Sequence, residues 1–119
     1  MKAQISNDNG RVIIDSDVIA KYAGLTAVEC MGVVGMAMVS VKDGLTKLLK
    51  RESITKGVSI RIAGEGEIEI DFHIITVYGI NISTIADNLM HTVKYKVEEF
   101  TGLKVSRINV FVEGVRIID

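Results

Sequence analysis

Four carboxylates fall within seven residues of this chain, at Glu65, Glu67, Glu69 and Asp71. Such a cluster could hold a divalent cation or supply an acid and a base. A calcium loop, however, curls its oxygen ligands around one point and carries a different residue pattern, and a glycosidase pair faces across a cleft. A spacing of two instead lays the carboxylates in a row along one side of a strand. There solvent satisfies them, and Arg61 on the neighbouring strand partners part of the row. The imidazole and thiol groups, His73, His91 and Cys30, lie far apart in sequence. Zinc asks for three or four such ligands with some at short spacing, so no metal is expected and both histidines read as polar surface residues. The chain has no Gly-x-Ser-x-Gly elbow, and Cys30 has no histidine near it in sequence to activate it; it packs as a small apolar residue. Gly64-Glu65-Gly66 places an anion where a phosphate would sit. Neither catalysis nor a cofactor is expected from these residues.

Three stretches could instead make contacts. Gly32-Val33-Val34-Gly35 is a GxxG after a helix, the pattern with which KH domains clamp a nucleic-acid backbone. Its middle residues are valines, and Cys30, Met31, Met36 and Met38 surround it rather than the cations that would displace counterions. Nucleic-acid binding is therefore the lesser reading. From Lys42 to Arg61 six cations stand against two anions. With Leu45, Leu48 and Leu49 on one side of a short helix and Lys47, Lys50 and Arg51 elsewhere around it, the segment could dock on an anionic surface or a partner. A core-facing turn with solvated lysines is the commoner arrangement. The run from Cys30 to Val41 is uncharged and rich in methionine; covered, it is core, and exposed, Met36 and Met38 would make a patch for self-association.

The elements that must position these residues follow from periodicity. Met1 to Gly10 is polar and reads as a flexible N-terminal tail, leaving residues 11–119 as one domain. Arg11 to Ile14 reads as a short strand. Asp15, Ser16 and Asp17 offer N-cap chemistry for a helix in which Val18, Ile19, Tyr22, Ala23, Ala27, Val28 and Met31 recur at helical spacing. Val33 to Val41 fits a buried strand or an apolar loop, and Asp43 to Arg51 a short helix. Val58, Ile60 and Ile62 alternate with polar partners, turn at Gly64-Glu65-Gly66, and return through Ile68, Ile70, Phe72 and Ile74. Ser83 can cap a helix from Thr84 to Phe100 with the seam Ile85, Leu89, Val93, Val97 and Phe100, and Gly102 ends it. A last strand runs from Lys104 to Ile117. The order β-α-(short segment)-β-β-α-β predicts an α+β fold: two layers, a mainly antiparallel or mixed sheet with two main helices on one face.

Composition narrows the class further. The chain has 119 residues, 48% of them hydrophobic, with a net charge of −1, enough apolar content for one core and no overall field to recruit a polyanion. One cysteine excludes a disulfide framework. No secretory leader or spanning segment is expected: the longest uncharged run, from Cys30 to Val41, is well short of the ~20 residues needed to cross a bilayer.

Taken in order, Gly10-Arg11-Val12, Ile19-Ala20, Ala23-Gly24-Leu25, Gly32-Val33-Val34-Gly35-Met36, Asp43-Gly44-Leu45, Lys56-Gly57-Val58, Tyr78-Gly79-Ile80-Asn81-Ile82, Thr101-Gly102-Leu103 and Asn109-Val110 with Val112 resemble the alkaline shock protein family. These are envelope stress proteins of Gram-positive bacteria, and the short termini resemble their compact, YloU-like branch. The resemblance implies a non-enzymatic cytoplasmic α/β protein that self-associates, a homo-oligomer held near the membrane through a protein partner such as a membrane anchor. It implies a part in cell-envelope homeostasis. Some relatives are encoded beside a kinase that acts on fatty acids, so a role as accessory subunit to a lipid-metabolism enzyme is an alternative, as is a KH-like RNA-binding module.

Overall fold

The computed structural model describes residues 1–40, 45–49 and 51–118, with side chains described at all of these except 39, 40, 45–47, 51 and 52. Two strands, β1 (Lys2–Asn7) and β2 (Gly10–Asp15), form a hairpin that leads into helix α1 (Ser16–Val28). Strands β3 (Val33–Ser40) and β4 (Leu45–Leu48) follow, then a 3-10 helix (Arg51–Gly57), strands β5 (Val58–Gly64) and β6 (Glu67–Val77), helix α2 (Ile82–Thr101) and strand β7 (Lys104–Arg116). The architecture is α+β, as the element order predicts.

Strand β6 organises the main sheet. Along one edge it pairs antiparallel with β5 through residues 67–72 and with β3 through residues 74–76. Along the other it pairs parallel with β7 over its whole length. The parallel pairing requires a crossover, which α2 supplies. Alternation then divides β6: Ile68, Ile70, Phe72 and Ile74 are fully buried, while Glu67, Glu69, Asp71 and His73 are only half-buried on the opposite side. Onto the apolar side pack Ile19, Ala23 and Ala27 of α1 and Ile85, Leu89, Val93 and Val97 of α2. Asn81 caps α2, its Oδ1 accepting from the Thr84 amide at 3.0 Å, and Gly102 closes it in the left-handed conformation. Asp15 caps α1 by accepting from the Asp17 amide at 2.9 Å.

The structure corrects several expectations. Residues 2–7, expected within a flexible tail, form β1; Ala3 is buried, Ile5 packs on the core and the Gln4 carbonyl accepts from the Gly66 amide. The apolar alternation of Ala3 and Ile5 finds Ile14 and Val12 opposite it across the hairpin. The short helix expected from Asp43 to Arg51 is absent from its described part: Leu45–Leu48 is a strand in register with Ala37–Ser40, and Arg51 opens the 3-10 helix. Leu45, Leu48 and Leu49 have helical spacing, but a neighbouring strand offers a ladder that spacing alone does not reveal. Val33 to Ser40 is strand rather than loop. The apolar side of α1 is also rotated from the expected one, since Val18 is about half exposed while Ala20 and Gly24 are buried, and Met31, expected on the same face, lies past the end of the helix and is exposed. Gly24 sits there because a Cβ would already lie 3.3 Å from Ile54 and Val58.

Candidate functional site

The open side of the main sheet carries a continuous polar row that joins three strands. Arg61 of β5 donates through Nη2 to Glu69 Oε1 at 2.8 Å and through Nη1 to Asp71 Oδ2. From the other flank, Asn109 of β7 donates Nδ2 to Asp71 Oδ1 at 2.9 Å. One step further along, His73 Nδ1 lies 3.3 Å from Glu113 Oε2, and the His73 ring stacks on Phe111 with centroids 4.9 Å apart. Each contact follows from alternation: Arg61 stands opposite Glu69, while Asp71 faces Asn109 and His73 faces Phe111 across the parallel ladder. Phe111 remains 45% exposed, so the row ends in an aromatic surface that solvent reaches.

The electrostatics of the row are self-contained. Burial works to raise the Asp71 pKa, but the hydrogen bonds from Arg61 and Asn109, with the Arg61 charge, hold its carboxyl below the usual range. The same two carboxylates hold the Arg61 guanidinium more firmly protonated than usual. Because the folded Asp71 pKa is depressed, its stabilising contribution is present above the unfolded carboxylate pKa and is lost as pH falls through the folded one. Asp71→Asn should therefore flatten the acid limb of the thermal midpoint against pH chiefly by lowering the neutral plateau, because the contribution it removes is the one present there. Melting followed by circular dichroism from pH 7 to pH 2 reads this directly, and an acid limb as steep as that of the parent would contradict it.

The other sequence-predicted residues scatter. Met36, expected in a self-association patch, is fully buried, because β3 turns it into the core; Met38 is half-buried. Of the methionine-rich run, Cys30, Val33, Met36 and Ala37 are buried and Met31 is exposed. Burial pushes the Cys30 thiol up, which keeps it protonated near neutrality. Leu45, Lys47 and Leu48 belong to β4 and Arg51 to the 3-10 helix, so no shared helical face brings them together. Leu48 is half-buried; Lys50, with residues 41–44, lies outside the described residues. His91 is exposed on α2, with Nδ1 2.7 Å from the Asp87 carbonyl oxygen. Among the described residues no three potential metal ligands cluster. Sequence reasoning recognised the acidic row and its Arg61 partner but not Asn109, Phe111 or Glu113; the signal was the alternation 107, 109, 111, 113 in the last strand. It also missed the stacking of Tyr22 on Phe100, 4.2 Å apart, which borders a shallow apolar groove of about 270 Å³ with Val18, Lys21 and Leu25.

No described helix is long and apolar enough to cross a membrane. No solved structure gives a match to the chain. Sequence relatives do. The chain is 43% identical to the protein YloU of Bacillus subtilis over 118 residues, covering 98% of each, and 34% identical to Spy1614 of Streptococcus pyogenes over 119 residues, 99% of this chain and 98% of that protein. It is 29% identical to a stress response regulator gls24 homolog of Streptococcus pyogenes over 110 residues, which are 90% of this chain and 59% of that protein. The model of the alkaline shock protein 23 family, described by a cell envelope-related function, matches residues 4–117. That match begins inside β1 and ends just past β7, taking in both the hairpin and the strand that completes the polar row, and so the chain belongs to the alkaline shock protein 23 family.

Proposed function

We propose that this protein is a non-enzymatic scaffold of the cell-envelope stress response, residing in the cytoplasm and acting through self-association and a protein partner that holds it near the membrane. The observation that carries this reading is the open side of the sheet, where three strands hold an aromatic and a set of charges in fixed positions by contacts with one another. Groups already satisfied by neighbours present a shaped surface at little further ordering cost, which suits recognition. Lys47, Lys50 and Arg51 belong to the proposal as a second contact, toward an anionic surface. Their charge reversal should weaken association with partner or anionic vesicles.

The test is replacement in the native cell. Arg61→Glu combined with Phe111→Ser should fold, fail to restore survival of a deletion strain under alkaline or envelope stress, and lose the protein that co-purifies with the tagged parent. Full rescue by that variant would overturn the reading. Salt-sensitive gel shifts with mixed RNA would favour a nucleic-acid module instead. A lipid-metabolism kinase as the co-purifying protein would identify the accessory-subunit alternative.

A further inference from the structure

Strand β7 pairs with β6 alone among the described residues, so its outer edge is an open row of backbone donors and acceptors along a long strand. Its core-side residues Ile108, Val110 and Val112 are only half-buried at this edge although they pack on the core. On the open side the edge carries Arg107 near one end and Glu113 at the other. Glu113 is the extra residue of a bulge opposite Ile74 and Ile75, yet its side chain returns to the open side and reaches His73. Arg107 makes no ion pair among the described residues.

We infer that the β7 edge is the contact between two copies of this chain, paired antiparallel and centred on Val110. The inference deepens the scaffold reading and rests on its self-association. Antiparallel pairing about a two-fold axis sets residues opposite one another in mirror order. Centred on Val110, it places Arg107 opposite Glu113 of the second copy, twice, with Ile108 opposite Val112 and Asn109 opposite Phe111. Over residues 107–113, between the two irregularities of the strand, charges meet opposite charges and the half-buried apolar residues meet their like; Lys104 and Arg116 would face each other at the ends, so the pairing is confined to that stretch. Neighbouring registers lose this: centred on residue 109, Arg107 faces Phe111, and centred on residue 111, it faces Val115. Charge complementarity therefore selects one register and one occupant. Because directly opposite residues share a side of the sheet, the two polar rows become one plane and α1 and α2 of both copies lie behind it.

Charge exchange tests this with the whole chain. Arg107→Glu and Glu113→Arg should each raise the dimer Kd by at least tenfold in sedimentation equilibrium, since each turns two cross-strand attractions into repulsions. The double variant, with both charges exchanged, should restore the parent value to within about threefold. Circular dichroism reports folding of each. Val110→Cys supplies an independent reading: it should cross-link to itself under mild oxidation, while Val115→Cys should not, the native Cys30 being buried. A monomer at all concentrations, a dimer indifferent to both single reversals, or equal cross-linking at 110 and 115 would each overturn the edge. A dimer indifferent to both reversals in a chain that still restores stress survival would overturn the edge while leaving the scaffold reading standing.

Discussion

Phe72→Ala should lower the stability of the chain by about 3–5 kcal/mol. Phe72 is fully buried at the middle of β6, with Val58 of β5 and Val110 of β7 as its cross-strand neighbours. Truncation removes the transfer free energy of the ring and leaves a cavity that two flanking strands, held by their own ladders, cannot close. At this chain length the thermal midpoint should fall by roughly 10–20 °C. Phe111→Ala is the matched control, one residue beyond Val110 and on the other side of the sheet. Its ring is 45% exposed and stacks on His73, so its loss should cost under about 1.5 kcal/mol. Urea melts with unchanged slope would show that both changes act on the native state. Equal losses at the two positions would mean that the sheet does not have one dry and one wet side.

That division was legible in the sequence because it is written at the shortest range. Strict alternation through Glu67 to Ile74 leaves one arrangement, and the spacing of Ile85, Leu89, Val93 and Val97 leaves one face for α2. What stayed hidden depends on partners remote in sequence. Leu45, Leu48 and Leu49 carry helical spacing, and only the presence of Ala37–Ser40 alongside converts that segment to strand. Lys2–Asn7 is polar enough to float, and becomes ordered because Ile14 and the Gly66 amide meet it. The same distinction runs through the candidate site. Arg61 and its carboxylates lie across a tight hairpin and could be paired from the sequence. Asn109, Phe111 and Glu113 join them only through a parallel register reached after a 20-residue helix and offset by two bulges.

Gly32→Ala is expected to cost about 2–5 kcal/mol, from two sources that can be measured apart. Gly32 has φ +83°, a left-handed conformation that costs an L-residue roughly 1–2 kcal/mol. In addition, a Cβ there would lie 2.6 Å from Cγ1 and Cδ1 of Ile85, a fully buried residue of α2. Relieving that clash means moving a packed helix or forcing Ile85 off its rotamer, another ~1–3 kcal/mol. Gly66→Ala isolates the first source: its φ is +71°, and a Cβ there would have nothing within 4 Å. In an Ile85→Ala background, which is itself destabilised, Gly32→Ala should cost only what Gly66→Ala costs, because the space for the methyl is then open. Denaturant melts of the four variants close the cycle. A large loss at Gly32 that survives removal of the Ile85 side chain would show that the turn serves something other than packing. The expected result places the first glycine of Gly32-Val33-Val34-Gly35 among the contacts that hold α2 on the sheet: its missing side chain lets the turn after α1 approach Ile85, while its carbonyl accepts from the Val77 amide at 2.9 Å. A glycine committed on both counts to the interior has no need of a ligand to explain it.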